Sequence, residues 1–149
     1  MKTIIIGDSC CALPGSYINE SQIPIVRYMY LFKGQEYFDD FGKSISYQDF
    51  YHEVREGEMP TTSQVNVHTF EEIFTKYVEE GVSIIFVSFS SALSNSYGSA
   101  VMARNIVQEK YPQADITLID TKSASLGEGL LLRSAVDMQK LGAGKEEIV

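Results

Sequence analysis

With 149 residues, 44% of them hydrophobic, the chain is long enough to bury one core and too short for two independent ones. Its formal net charge of -8 sets aside nucleic acid as a partner, because affinity for a phosphate backbone comes from clustered lysine and arginine. No stretch approaches the roughly 20 apolar residues of a membrane span, and the apolar run at Ile4-Ile5-Ile6 is too short for a secretory signal, so we expect no membrane span and a cytoplasmic location.

In chain order, Lys2 to Gly7 is a short apolar run that delivers the polar turn Gly7-Asp8-Ser9, as a buried strand would. Cys10 and Cys11 are adjacent and are the only cysteines, a spacing that suits neither an ordinary disulfide nor the usual metal-ligand patterns, so they read as reduced thiols. Ile25 to Phe32 reads as a further strand, with Lys33-Gly34-Gln35 as a turn into a hairpin partner at Glu36 to Phe38. Ser46 caps a helix from Tyr47 to about Glu56 that stops at Gly57. Asn66 caps the next, whose apolar stripe Val67, Phe70, Ile73, Phe74, Tyr77 and Val78 is backed by a charged face. His52 and His68 fall in these helices without ligand spacing, which gives no zinc pattern.

Ser83 to Phe89 and Asp115 to Asp120 repeat the strand-then-polar-turn pattern. Each leads to a helix, one from near Ser96 to Lys110 and one from about Gly129 to Lys140. Gly142 to Val149 reads as a loop and the first turn of another helix. Strands alternating with helices predict an α/β fold with a mainly parallel sheet flanked by helices.

Two hydroxyl-rich segments stand out, Pro60-Thr61-Thr62-Ser63-Gln64 and Ser88 to Tyr97, and each reads as a turn ahead of a helix. The first N–H groups of a helix lack intrahelical partners and carry the positive end of its dipole, so they can hold a small anion without a lysine, and neutral hydroxyls add donors. The plainer reading is that these residues are N-caps and turn formers. In a doubly wound sheet, Asp8-Ser9, Ser88 to Ser96 and Asp120-Thr121 would converge beyond the strand ends.

No serine has the flanking glycines of a hydrolase nucleophile elbow, and no Walker lysine is present. Leu126-Gly127-Glu128-Gly129 is only loosely like a dinucleotide turn. The adjacent acids Asp39-Asp40 read first as a solvated loop, with cation binding or acid–base work as the sharper alternative. The hydroxyl turns could instead hold a carboxylate whose apolar tail runs into the core. At roughly 0.8 kcal/mol per buried methylene, about fourteen methylenes would contribute on the order of 11 kcal/mol before ordering costs, so the tail would supply affinity and the head group position. Tyr28, Tyr30, Phe32, Phe86 and Phe89 are either core residues or the lining of such a tunnel.

These residues carry a family resemblance over nearly the whole length. Asp8-Ser9, Leu13-Pro14, Gly34 to Asp39, Ile45-Ser46, Pro60 to Gln64, Ser90 to Ala100, Ile119-Asp120-Thr121 and Gly127-Glu128-Gly129 occur in the order seen in the DegV family, and the chain resembles that family's N-terminal domain. The resemblance implies a Rossmann-like lobe spanning 1–149, a second α/β lobe not contained in it, and no cofactor beyond one bound long-chain fatty acid such as palmitate or stearate. It also implies a carrier rather than an enzyme, one that presents the acid to a separate fatty-acid kinase for acyl-phosphate formation and phospholipid synthesis. The carboxylate ligands of the family match Thr62 and Ser94, with Ser63, Asn95, Ser96 and Ser91 in the same turns and Ser9 in the turn after the first strand as further candidates. Departures from the pattern are Val65-Asn66 for proline and serine, Asn95-Ser96 for glycine and threonine, Gly98 for glutamine, and Gly7 and Ala12 in the first motif. Asparagine at 95 adopts a left-handed backbone less freely than glycine, which bears on how closely a carboxylate approaches that turn.

The alternatives from other classes are an enzyme or binding module for a small phosphorylated metabolite or nucleotide on the same turns, and a lobe that mainly docks a partner. Phosphate-dependent thermal stabilisation would mark the former, and an exposed apolar patch the latter.

Overall fold

The computed structural model describes residues 2–149. Four strands make a wholly parallel sheet: β1 (Thr3–Asp8), β2 (Ile25–Val26), β6 (Ser83–Ser88) and β7 (Ile116–Asp120), in the spatial order β2-β1-β6-β7. Three shorter strands, β3 (Met29–Phe32), β4 (Gln35–Phe38) and β5 (Thr61–Ser63), form a separate antiparallel sheet ordered β4-β3-β5. This smaller sheet and helix α2 (Tyr47–Arg55) are inserted in the long connection between β2 and β6.

The apolar strand runs are explained by burial on both faces, as parallel sheets require. Every residue of β6 is buried, and alternation splits them. Ile84 and Phe86, with Ile6, face helices α3 (Val67–Glu79) and α4 (Ser96–Lys110), packing on Phe70, Phe74, Ala100, Ala103 and Val107. Ile85 and Val87, with Ile5, face α1 (Gly15–Glu20) and α5 (Leu126–Lys140), packing on Ile18, Leu132, Ala135 and Val136. The helix stripe expected from Val67 to Val78 is the buried face of α3, and Asn66 caps it by accepting the Thr69 N–H at 2.9 Å. Ser46 caps α2 in the same way through the Asp49 N–H at 3.0 Å. A short helix α6 (Lys145–Ile148) ends the chain and pairs Lys145 with Asp115.

Three expectations need correction. The single strand over Ile25 to Phe32 is two strands in two sheets, because the chain leaves the parallel sheet after Val26 and the Tyr28 N–H turns to the Ser9 hydroxyl at 3.0 Å. Pro60 to Gln64 is not a turn leading into a helix: Thr61–Ser63 is strand β5, paired with β3, and α3 starts only after the Asn66 cap. Helix α5 begins at Leu126, three residues ahead of the expected Gly129, and α1 and the 3-10 turn at Ser9–Cys11 were not expected.

The order β2-β1-β6-β7 places the reversal of winding between β1 and β6. The crevice outside their C-terminal ends, at Asp8 and Ser88, is where such sheets receive ligands.

Candidate functional site

A cavity of about 720 Å³ lies at that crevice. Its walls come from Cys10 after β1, Tyr28 to Tyr30 leading into β3, the Asp39 to Ile45 loop, helix α2, strand β5, and the Phe89 to Asn95 turn after β6. The small sheet supplies a row of side chains on one face: Tyr37, Tyr30 and Thr62 stand opposite one another across its three strands, with the two tyrosine rings stacked at 5.6 Å. Helix α2 closes over this face through Phe50, whose ring packs on Tyr30 at 5.8 Å and on Phe32 at 4.9 Å. Tyr47 and Tyr51, on successive turns of α2, add to the aromatic wall.

The two hydroxyl segments meet at the cavity through one buried bond. Val65 N–H, just past β5, donates to the Ser96 hydroxyl at 2.9 Å. Ser96 is itself buried and lies 3.0 Å, oxygen to oxygen, from the Ser94 hydroxyl, which also accepts the Ser96 N–H at 3.2 Å. When Ser96 donates to Ser94, both hydroxyls are anchored by backbone amides and the Ser94 proton is left for a group in the cavity. Asn95 sits at φ −76, so the turn makes no left-handed demand at the position where the family pattern has glycine.

Of the residues singled out from sequence, Thr62, Ser63, Ser94 and Asn95 line the cavity, and Ser96 stands behind Ser94. Ser9 is buried beneath, holding the Tyr28 amide. Ser91 is outside the lining: its hydroxyl and its N–H both bind Asp120, at 2.5 and 3.1 Å. Tyr28, Tyr30 and Phe89 line the cavity, whereas Phe32 and Phe86 are core. The acids Asp39 and Asp40 are also in the lining, with burial raising the Asp39 carboxyl above the usual range. Among the described residues, the lining contains no lysine or arginine.

Beneath the cavity floor lies a pair that the sequence reading did not single out. Asp8 and Glu128 are both buried, 1% and 0% exposed, at the C-terminal end of β1 and in the first turn of α5. Asp8 accepts the Cys10 N–H at 2.9 Å and the Phe89 N–H at 2.8 Å. Neither oxygen of Glu128 has a partner. Burial and the facing Asp8 push the Glu128 carboxyl up to about 10, and burial also raises Asp8 against the pull of its two amides. The two amide bonds thus favour the charge on Asp8, and burial favours the protonated form of Glu128. Both cysteines are free, and burial pushes the Cys11 thiol up to about 11 and Cys10 higher still, helped in Cys10 by Asp8, so neither is a nucleophile at neutral pH. The signal for the pair was an acid between two helix-start glycines, Gly127 and Gly129, directly after a strand and loop.

The lobe is thus a parallel α/β unit whose switch point carries a cavity lined by aromatic and hydroxyl side chains, with no lysine or arginine among the described residues of the lining. The DegV family model matches residues 2–149, and the chain belongs to that family. It is 42% identical over 147 residues to a DegV domain-containing protein of Clostridium perfringens, a match that covers 99% of this chain and 50% of that protein. Among solved structures, a stearic acid-binding protein from Eubacterium ventriosum superposes with a TM-score of 0.87 at 30% identity, over 98% of this chain and 50% of that one. A fatty-acid-binding DegV family protein from Thermus thermophilus gives 0.83 at 27% identity, over 99% and 51%. The chain thus spans about half the length of the relatives it matches. No helix among the described residues is long and apolar enough to cross a membrane.

Proposed function

We propose that this chain binds a long-chain fatty acid in the cavity at the switch point, with the carboxylate on the Thr62 and Ser94 hydroxyls and the tail against the aromatic wall. The observation that carries this reading is the make-up of the cavity wall: hydroxyls of β5 and of the Ser94 turn beside Tyr30, Tyr47, Phe50, Phe89 and Leu93, and no lysine or arginine among the described residues of the lining. A phosphate dianion would lack a counter-charge there, whereas a monoanion with a large apolar tail needs only neutral donors because tail burial supplies the affinity. The fatty acids bound by the Eubacterium and Thermus proteins support the same reading.

On this reading residues 1–149 are the first lobe of a two-lobe carrier, and the second lobe completes the tunnel. The protein does no chemistry on the acid itself. It presents the carboxylate to a kinase that forms the acyl phosphate used in phospholipid synthesis. Mass spectrometry of an organic extract of the folded protein tests the ligand, with a stoichiometric long-chain fatty acid expected. Replacing Thr62 and Ser94 together by alanine should lower fatty-acid affinity by about tenfold or more while leaving the circular dichroism spectrum unchanged. An extract without lipid, or undiminished binding in the double variant, overturns the assignment.

A further inference from the structure

Among the described residues, the Tyr28 hydroxyl is the buried side-chain polar atom of the cavity wall without a hydrogen-bond partner. It is buried and makes no hydrogen bond, although the Ser94 and Ser96 hydroxyls lie beside it. The ring lines the cavity and is held from two sides: the Tyr28 amide donates to Ser9 at 3.0 Å, and Phe89 packs against the ring at 6.2 Å between centroids, edge to face. A buried hydroxyl with no partner costs free energy, and a fixed one aimed among two serines is pre-organised for an acceptor.

Ser94 cannot serve as that acceptor without losing one of its own bonds, and Tyr28 makes none to Ser96. Ser96 Oγ already accepts from Val65 N–H, and Ser94 Oγ accepts from Ser96 N–H. When Ser96 also donates to Ser94, both lone pairs of Ser94 are taken and its proton is left for the ligand. Tyrosine stays neutral at physiological pH, and burial pushes this phenol up to about 12, so it offers a proton rather than a charge.

We propose that Tyr28 is a specificity-determining residue of this site, its hydroxyl donating to the ligand's head group beside Ser94 and selecting an ionised carboxylate over an alcohol or ester. The proposal rests on the fatty-acid reading above. A carboxylate oxygen has lone pairs for several donors, and a bond to an ionised acceptor is roughly twice as strong as a neutral one, so the phenol discriminates by charge. A fatty alcohol of equal chain length keeps the tail contacts and forfeits most of that difference.

The test compares wild type with Tyr28→Phe, which removes only the hydroxyl, for binding of a saturated C16 acid and the matching C16 alcohol. The variant should lose about tenfold or more in affinity for the acid and little for the alcohol. Its melting temperature without ligand should equal or exceed that of wild type, because no satisfied bond is lost. If wild type binds neither compound, the fatty-acid reading fails and this proposal with it. If wild type prefers the acid and Tyr28→Phe keeps the same ratio, only the role of Tyr28 is overturned. A lowered melting temperature with equal losses for both compounds would likewise overturn it, marking the hydroxyl as structural.

Discussion

Glu128 illustrates how a single side chain can tie stability to pH. Its carboxyl keeps a proton up to about 10 in the folded chain, against 4.5 when exposed, because of burial and the facing Asp8. Between these values the folded state binds the extra proton, so stability falls as pH rises through that window, by up to about 1.4 kcal/mol per pH unit for one retained proton. Below the window the penalty vanishes. Glu128→Gln, which mimics the protonated acid, should therefore flatten the decline in chemical-denaturation stability between about pH 6 and 9 and leave the variant the more stable at the upper end. An unchanged slope would show that Glu128 is ionised in the folded protein. Nothing in the amino-acid order announced this: a glutamate between glycines at a helix start looks like a first-turn acid favoured by the dipole, and only the tertiary approach of α5 to β1 desolvates it.

At the scale of elements, that approach depends on Gly129. A Cβ at this position would collide with the Cys11 carbonyl oxygen and press on Leu13, so the first turn of α5 rests directly on backbone after β1. Gly129→Ala should cost about 1–3 kcal/mol by overpacking, whereas alanine in an unconstrained helix would be favourable, and thermal melts of the variant report the sign. Helices α2 to α5 and strands β1, β6 and β7 were legible because their sequence patterns coincide with their burial, as in α3 and β6. Of the small sheet, only the β3–β4 hairpin was, through its turn at Lys33-Gly34-Gln35. Its strands have three or four residues, and the stretch from Ile25 to Phe32 is continuously apolar enough to hide the point at Arg27 where one sheet ends and the other begins. Thr61 to Ser63 misled in the opposite way, since hydroxyls after a proline and before a capped helix look like a turn until their partners in β3 are known. The convergence of Thr62 and Ser94 on one cavity was legible, but as two helix starts, whereas one of them is a strand.

For the whole molecule, the parallel sheet sets where a ligand sits and the charge sets the terms on which an anion arrives. The net charge is -8, and Asp39 and Asp40 stand in the cavity wall. Long-range repulsion therefore opposes a carboxylate, the reverse of sites built from lysine and arginine. Raising monovalent salt from about 20 to about 300 mM should tighten fatty-acid binding by a few-fold, measured below the critical micelle concentration, with a fatty alcohol as the uncharged control. Weaker binding at high salt would place a cationic side chain at the head group and count against the hydroxyl site.

The bond from Val65 to Ser96 joins segments 31 residues apart, and everything between them, helix α3 and strand β6, has to be seated before it closes. The two walls of the cavity thus come together through a non-local bond, whose loop must be closed before it forms. A chain that has collapsed without registering its small sheet against the strand ends has hydroxyls but no pocket. On the proposed reading, capture of a fatty acid would therefore report on completed folding, with no separate device needed to inspect misassembled copies.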